Sequence, residues 1–168
     1  MTDKIGLVTG AATGIGAGVC RQLTDKGVRV AVCDINEADG KALADEIGCV
    51  FIPCNVSSLD SVRDAMKACE DQMGVPDYIH LNAGIMTVPT GDPFLAIEDV
   101  TPAQYQNIVG VNLNGVYHGL KVALPAMRQK GGAITITAST AGLSVVPVDP
   151  MYTATKYALV GMGRAVSA

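Results

Sequence analysis

Short apolar runs alternate along this chain with stretches whose apolar positions recur at helical spacing. "KIGLVTG" and "VRVAVCD" are brief, rich in valine and bounded by glycine or a charge, so they read as the first two strands. Between them Ile15, Val19 and Leu23 recur at helical spacing and predict a helix. "CVFIPC" is a third strand. A cap signal at Ser57, with Asp60 three residues on, then opens a helix whose buried face is Leu59, Val62, Met66, Cys69 and Met73. "DYIHLNAG" is a fourth strand running into a glycine turn, and "MTVPTGDPF" is a Pro/Gly-rich loop. Thr101, Pro102 and Gln104 make a helix start: a cap, a proline at the first helical position and a capping-box glutamine. The helical region that follows runs to about Arg128 in two pieces, with Pro125 kinking or tightening its end. "AITITA" is a fifth strand, and a last helix begins near Asp149-Pro150.

Strand followed by helix throughout means a parallel sheet covered on both faces, the doubly wound α/β architecture. Right-handed crossovers then place the functional crevice at the carboxyl ends of the strands. The expected fold is Rossmann-like, with five strands in the order 3-2-1-4-5 and one domain spanning 1–168.

Composition narrows the function. The chain has 168 residues, enough for one domain with a real core, and its 49% hydrophobic content excludes a disordered polar tail. No apolar run approaches the roughly 20 residues of a membrane span, and "MTDKIGLVTG" lacks a signal-peptide pattern. A net charge of −4 with scattered basic residues speaks against a nucleic-acid surface. The five cysteines (Cys20, Cys33, Cys49, Cys54, Cys69) are odd in number and show no C-x-x-C pair. They read as reduced thiols of a cytoplasmic protein. His80 and His118 have no ligand partners at a recognisable spacing, so no metal site is expected, and His80 reads as a satisfied side chain in or beside the fourth strand.

The candidate chemistry sits at the strand ends. "TGAATGIG", Thr9 to Gly16, spans the junction of the first strand and first helix. Gly10 permits a tight turn, Gly14 lets a pyrophosphate approach the backbone, and Gly16 lets the helix pack close to the sheet. The bare pattern also suits an ordinary glycine-rich turn; its place between a buried strand and a helix is the context of a dinucleotide loop. Asp34 closes the second strand. It can begin a turn, or it can accept hydrogen bonds from both hydroxyls of an adenosine ribose, which favours NAD over NADP because neither Ile35 nor Asn36 offers a cation to a 2′-phosphate. "YTATK" sets the phenol of Tyr152 and the ammonium of Lys156 one helical turn apart. Such a pair on its own is usually solvated.

Taken together, these residues resemble the short-chain dehydrogenase/reductase family, in the branch whose loop reads T-G-x-x-x-G-[IL]-G. The loop matches at Thr9, Gly10, Gly14, Ile15 and Gly16, with Thr13 inside it. Asn82, Ala83 and Gly84 match the family's N-A-G segment, although Leu81 stands where an asparagine often comes first. Asn55-Val56 occupies the place of an Asp-Val whose side chain contacts adenine in the family. Tyr152 and Lys156 match Y-x-x-x-K, Ser139 lies thirteen residues before Tyr152, and Asn112 in "GVNLNG" matches the fourth catalytic position.

The resemblance implies a cofactor, NAD, held by Gly10, Thr13, Gly14, Ile15, Gly16, Asp34, Asn55, Val56, Asn82, Ala83, Gly84, Tyr152 and Lys156. It implies catalysis by Asn112, Ser139, Tyr152 and Lys156 on a secondary alcohol or ketone. Lys156 and the positive nicotinamide favour the phenolate of Tyr152, which exchanges a proton with the substrate hydroxyl. Ser139 donates to the substrate oxygen, Lys156 also binds the nicotinamide ribose, and Asn112 holds a water linking Lys156 to solvent. Homodimers or homotetramers are expected through the helices around 101–130 and 150–168.

Members of the family usually continue past the last residue here, with a sixth strand, a substrate-binding loop and helix, and a final strand. Two readings follow: the amino-terminal part of an NAD-dependent dehydrogenase or reductase, or a catalytically impaired NAD-binding or subunit-interaction protein. Retention of Ser139, Tyr152 and Lys156 favours the first. The apolar "GLSVVPVDPM" points to a moderately hydrophobic substrate.

Overall fold

The computed structural model describes residues 3–145 and 147–167. Among them five strands pair in parallel: β1 (Ile5–Thr9), β2 (Arg29–Asp34), β3 (Val50–Pro53), β4 (Tyr78–Leu81) and β5 (Ala133–Ile136). Their order is β3-β2-β1-β4-β5, the expected doubly wound arrangement. Six α-helices alternate with them: α1 (Gly14–Asp25), α2 (Glu37–Ile47), α3 (Leu59–Gln72), α4 (Pro102–Ile108), α5 (Gly115–Lys130) and α6 (Pro150–Ser167). The winding reverses between β1 and β4, where Val8 lies opposite His80, which makes the carboxyl ends of these two strands the switch point at which such sheets bind ligands.

Period-two alternation splits the core between the two faces. Leu7, Ala31, Ile52 and Ile79 pack against Val62 and Met66 of α3 and Leu120 and Ala123 of α5. Val8, Val30 and Val32 pack against Ala17 and Cys20 of α1 and Leu43 and Ala44 of α2. Every residue of β1 is buried, as expected of a central parallel strand covered on both sides. Burial of each Val or Leu side chain contributes about 1.5–3 kcal/mol.

One local expectation is corrected and two gain detail. The stripe Ile15, Val19, Leu23 forms α1 as expected: Val19 and Leu23 pack against the core beside the buried Gly16, Ala17 and Cys20, while Ile15 is 66% exposed. The cap of α3 is Ser58, whose hydroxyl accepts the Ser61 amide; Ser57 instead donates its hydroxyl to Asn55 Oδ1. The helical region after Thr101 is in two pieces, as expected, joined by a widened π-type turn, Val109–Asn114, and Pro125 lies inside the second piece, α5. That turn buries Asn112 completely, and such bulges are frequent at functional sites. The capping box of Thr101 and Gln104 is present, and Asp149 caps α6 through the Tyr152 amide. All five cysteines are unpaired, and burial pushes the Cys20 thiol up to about 12, which makes it inert.

At the opposite end of the sheet Asp77 gathers β1, β4 and α5. Its carboxylate accepts from Lys4 Nζ (2.9 Å) and the Ile5 amide (3.0 Å) and pairs with Lys130 Nζ at 3.0 Å. Burial pushes this carboxyl up, but the donated hydrogen bonds of Lys4, Ile5 and Lys130 outweigh it and hold it at about 2. The folded value lies below that of the unfolded chain. The stabilisation is therefore fully present above about pH 4 and is lost as pH falls towards 2. Replacing Asp77 by Asn is expected to cost roughly 1–2 kcal/mol near neutrality, after discounting for the half-exposed lysines. Urea unfolding should show that difference shrinking on acidification; a constant difference would contradict the assignment.

Candidate active site

The turn after β1 is shaped by its glycines. Gly10 has φ +62°, and a Cβ there would lie 2.6 Å from the Ala83 backbone, so the turn presses directly on the segment after β4. Gly16 is tighter still: an added Cβ would meet Gly10 O at 2.2 Å and Asn82 Nδ2 at 2.8 Å. Gly14 differs from both. It has φ +57° with nothing within 4 Å of the Cβ position, so space is left open before the first turn of α1. Thr13 is the N-cap residue, and its side chain makes no cap bond. Thr13, Gly14 and Ile15 are exposed, their amides bonded by no side chain among the described residues, and α1 has no acid in its first turn. This is the electrostatic setting of an anion.

Around this turn the other predicted residues converge in part. Asn82 donates its side-chain amide to Thr9 O (3.2 Å) and Gly10 O (3.0 Å) and accepts from Thr137 Oγ1 (2.9 Å), tying together the ends of β1 and β5. The Asn82 and Ala83 amides both donate to Thr9 Oγ1. Asp34, at the end of β2, accepts the Ala12 amide on Oδ2 and the Asn36 amide on Oδ1, each at 2.9 Å. Asn55 lies one strand further out, its Oδ1 engaged by the Ser57 amide and hydroxyl. Val56 is buried, and its carbonyl accepts from His118 Nδ1 at 2.9 Å.

A second cluster forms at the ends of β4 and β5. Lys156 is 3% exposed, and its Nζ donates to Thr137 O at 2.8 Å. Among the described residues it has no carboxylate partner, and burial pushes its ammonium below the usual lysine value. The same Nζ lies 5.5 Å from the ring centroid of Tyr152, so the two side chains share one face of α6. Gly84 borders both Lys156 and Asn112: a Cβ there would lie 3.4 Å from Lys156 Nζ and 3.5 Å from Asn112 Oδ1. Ser139 caps a short 3₁₀ turn, Thr140–Gly142, by accepting the Ala141 amide at 3.1 Å, so its hydroxyl hydrogen remains free for another acceptor. Asn112 is committed on both sides of its carboxamide. Oδ1 accepts the Ile85 amide (2.8 Å), while Nδ2 donates to Ile85 O (2.9 Å) and Thr155 Oγ1 (3.2 Å).

Sequence reasoning did not single out Thr137, Thr87 or Thr155. Thr137 accepts Lys156 on its carbonyl and bridges Asn82 and His80 through its hydroxyl. Since that hydroxyl gives its one hydrogen to Asn82, His80 donates from Nε2 and accepts from Thr135 at Nδ1, the neutral tautomer that its lowered pKa under burial also favours. A threonine in a strand rich in β-branched residues looks like propensity alone. Alternation along "ITITAS", which sets Thr137 on the face of Ser139, was the available signal.

The sheet order and the glycine turn at its switch point define a Rossmann-like α/β protein. A profile of the short chain dehydrogenase family matches residues 4–168, and the chain belongs to that family of oxidoreductases. It is 34% identical to L-fucose dehydrogenase of Oryctolagus cuniculus over 98% of this chain and 56% of that protein. It is 35% identical to the short-chain dehydrogenase reductase ATA1 of Arabidopsis thaliana over 96% of this chain and 58% of that protein. Among solved structures, an alcohol dehydrogenase from the archaeon Thermococcus sibiricus, complexed with 5-hydroxy-NADP, superimposes with a TM-score of 0.89 at 26% identity. That match covers 97% of this chain and 69% of the other. The chain thus spans a little over half the length of the two curated relatives. Among the described residues no helix is long and apolar enough to cross a membrane.

Proposed function

We propose that this chain supplies the cofactor-binding and catalytic residues of an NAD-dependent oxidoreductase that moves a hydride between the nicotinamide and a secondary alcohol or ketone. One observation carries the reading: among the described residues the ammonium of Lys156 is buried without a counter-charge, 5.5 Å from the ring centroid of Tyr152 and beside the turn after β4. An isolated buried cation is costly, and folds keep such groups where chemistry uses them.

The residues present fit a dinucleotide. The open, amide-rich start of α1 at Gly14 suits the phosphates, with Gly10, Thr13, Ile15 and Gly16 shaping its walls. Asn55 and Val56 would flank the adenine, and Asn82, Ala83 and Gly84 would line the path to the nicotinamide. Each Asp34 oxygen already accepts one amide and keeps a lone pair for a ribose hydroxyl. When bound, the cofactor supplies the hydride acceptor or donor.

The chain's own residues handle the proton. In the oxidative direction Tyr152 takes the proton of the substrate hydroxyl, and the Lys156 ammonium stabilises negative charge on the phenol oxygen. The free hydroxyl hydrogen of Ser139 donates to the substrate oxygen. Lys156 spends one of its donors on Thr137 O, leaving others for the nicotinamide ribose and for a water held beside Asn112.

The substrate is a moderately hydrophobic alcohol or ketone, because the walls after Gly142 present exposed Leu143, Val145 and Val148. Tyr105, Tyr117 and Tyr157 are exposed on α4, α5 and α6, the helices through which we assign a homodimer or homotetramer. Five unpaired thiols suit the cytoplasm.

The test is spectrophotometric: the protein is mixed with NAD or NADP and a panel of secondary alcohols, and absorbance of the reduced nicotinamide is followed. Turnover with NAD at least about 10-fold more efficient than with NADP is expected, since a 2′-phosphate would face the fixed carboxylate of Asp34. Asp34→Ala should narrow that ratio. Cofactor binding without turnover of any alcohol would favour a binding protein instead.

A further inference from the structure

We propose that Asp149 is a positioning residue for Tyr152, acting through a buried clasp to Thr87; this rests on the catalytic reading of Tyr152 above. Asp149 is 2% exposed, and among the described residues its carboxylate has no cationic partner. Its charge is met by donors alone. Oδ1 accepts the Tyr152 amide at 2.9 Å and the Thr87 hydroxyl, and Oδ2 accepts the Thr87 amide at 3.0 Å. One side chain therefore fixes the first turn of α6, at Tyr152 itself, to the irregular segment leaving β4.

A helix cap alone does not need this arrangement. Ser or Asn satisfies an N3 amide as well as Asp does, and neither requires burial of a charge. What a carboxylate adds over both is a second acceptor oxygen, and here that oxygen is used on Thr87, 62 residues away in sequence. The same segment is fastened a second time two residues earlier, where Ile85 is gripped from both sides by Asn112, which also holds Thr155. Thr155 precedes Lys156, and the Tyr152 amide is bound by Asp149. The two fastenings thus set the two ends of the Tyr152–Lys156 face against one wall, the wall that continues from Asn82–Gly84. A rigid supporting contact of this kind decides whether a proton-transferring group stands within hydrogen-bond reach of its substrate. Loosening the clasp should let Tyr152 wander relative to that wall while leaving the glycine turn untouched.

The test separates the clasp from the cap. Asp149→Ser keeps a cap acceptor but is too short to hold Thr87; Thr87→Val removes the hydroxyl and keeps the shape. Both variants are expected to bind NAD within about 2-fold of the parent, to keep KM for the alcohol within a few-fold and to lose about 10-fold or more in kcat. Combined, their losses should not multiply, because the Thr87 hydroxyl bond removed by the second is already lost with the Asp149 carboxylate. Amide hydrogen exchange gives a readout independent of turnover: in Thr87→Val the Tyr152 amide should exchange at least about 10-fold faster. Unchanged kcat in the two folded, NAD-binding variants, or fully multiplicative losses, would overturn the clasp. If the parent turns over no alcohol, the catalytic reading fails on its own. Exchange at Tyr152 then decides the clasp, with a rate unaffected by Thr87→Val counting against it.

Discussion

Tyr152→Phe is expected to reduce turnover by about 10²–10⁴-fold while leaving NAD affinity within a few-fold of the parent. The substitution removes one oxygen and keeps the ring that lies 5.5 Å from Lys156 Nζ, so packing of α6 changes little. Tyr152 is half-buried, and among the described residues its hydroxyl meets no protein partner, so no internal hydrogen bond is lost with it. A drop in kcat without loss of thermal stability therefore isolates the chemical role. The measurements are steady-state kinetics with NAD and a secondary alcohol, cofactor titration, and thermal unfolding of both proteins. Retention of more than about a tenth of the parent's kcat would sink the proposed acid–base role, because a general acid or base cannot be spared at so small a cost.

Gly16→Ala should abolish cofactor binding, with affinity for NAD falling by well over about 10-fold. A single methyl group is enough here. Its carbon would lie 2.2 Å from Gly10 O and 2.9 Å from Ala11 Cα, atoms of the backbone turn that cannot swing aside as a flexible side chain can. The same carbon would crowd Asn82 Nδ2 at 2.8 Å, the amide that joins β1 to β4 and β5. Relief of the overlap pushes the turn away from α1 and disperses the amides that we propose hold the phosphates. Overpacking of this kind costs about 1–3 kcal/mol of stability as well. Gly14→Ala provides the contrast. It meets no atom within 4 Å and suffers only from its φ of +57°, so a smaller loss of stability is expected. NAD titration by calorimetry, with urea unfolding of both variants, checks the pair. Equal stability losses at the two glycines would show that backbone conformation, not contact, governs the turn.

Much of this site was legible before any coordinates. Glycine spacing between a buried strand and a helix announced the turn, and Asp34 closing β2 announced an acidic group beside it. Tyr152 and Lys156 share a face because a helix brings residues four apart together, wherever that helix lies. Burial was less legible. Ile15 belongs to an apolar stripe and yet is exposed, because the glycine at position 16 must face inward to let α1 meet the turn. The Oδ1 atoms of Asn55 and Asn112 each accept from neighbouring donors, partnerships that spacing along the chain did not announce.

The sequence by itself determined the strand–helix alternation, the caps at Thr101 and Asp149, the glycine turn and the pairing of Tyr152 with Lys156. These are short-range properties, set by periods of two and 3.6 residues and by the demands of orphan amides at helix starts. Only the tertiary structure decided that Asp77 draws in Lys4, 73 residues away, that Asp149 holds Thr87, and that Lys156 donates to Thr137 O. It also decided that the long helical region opens into a π-type turn around Asn112. Such partners are chosen when distant segments are packed side by side. Each is fixed by which buried polar group would otherwise be left without a hydrogen bond, and no spacing along the chain records that choice.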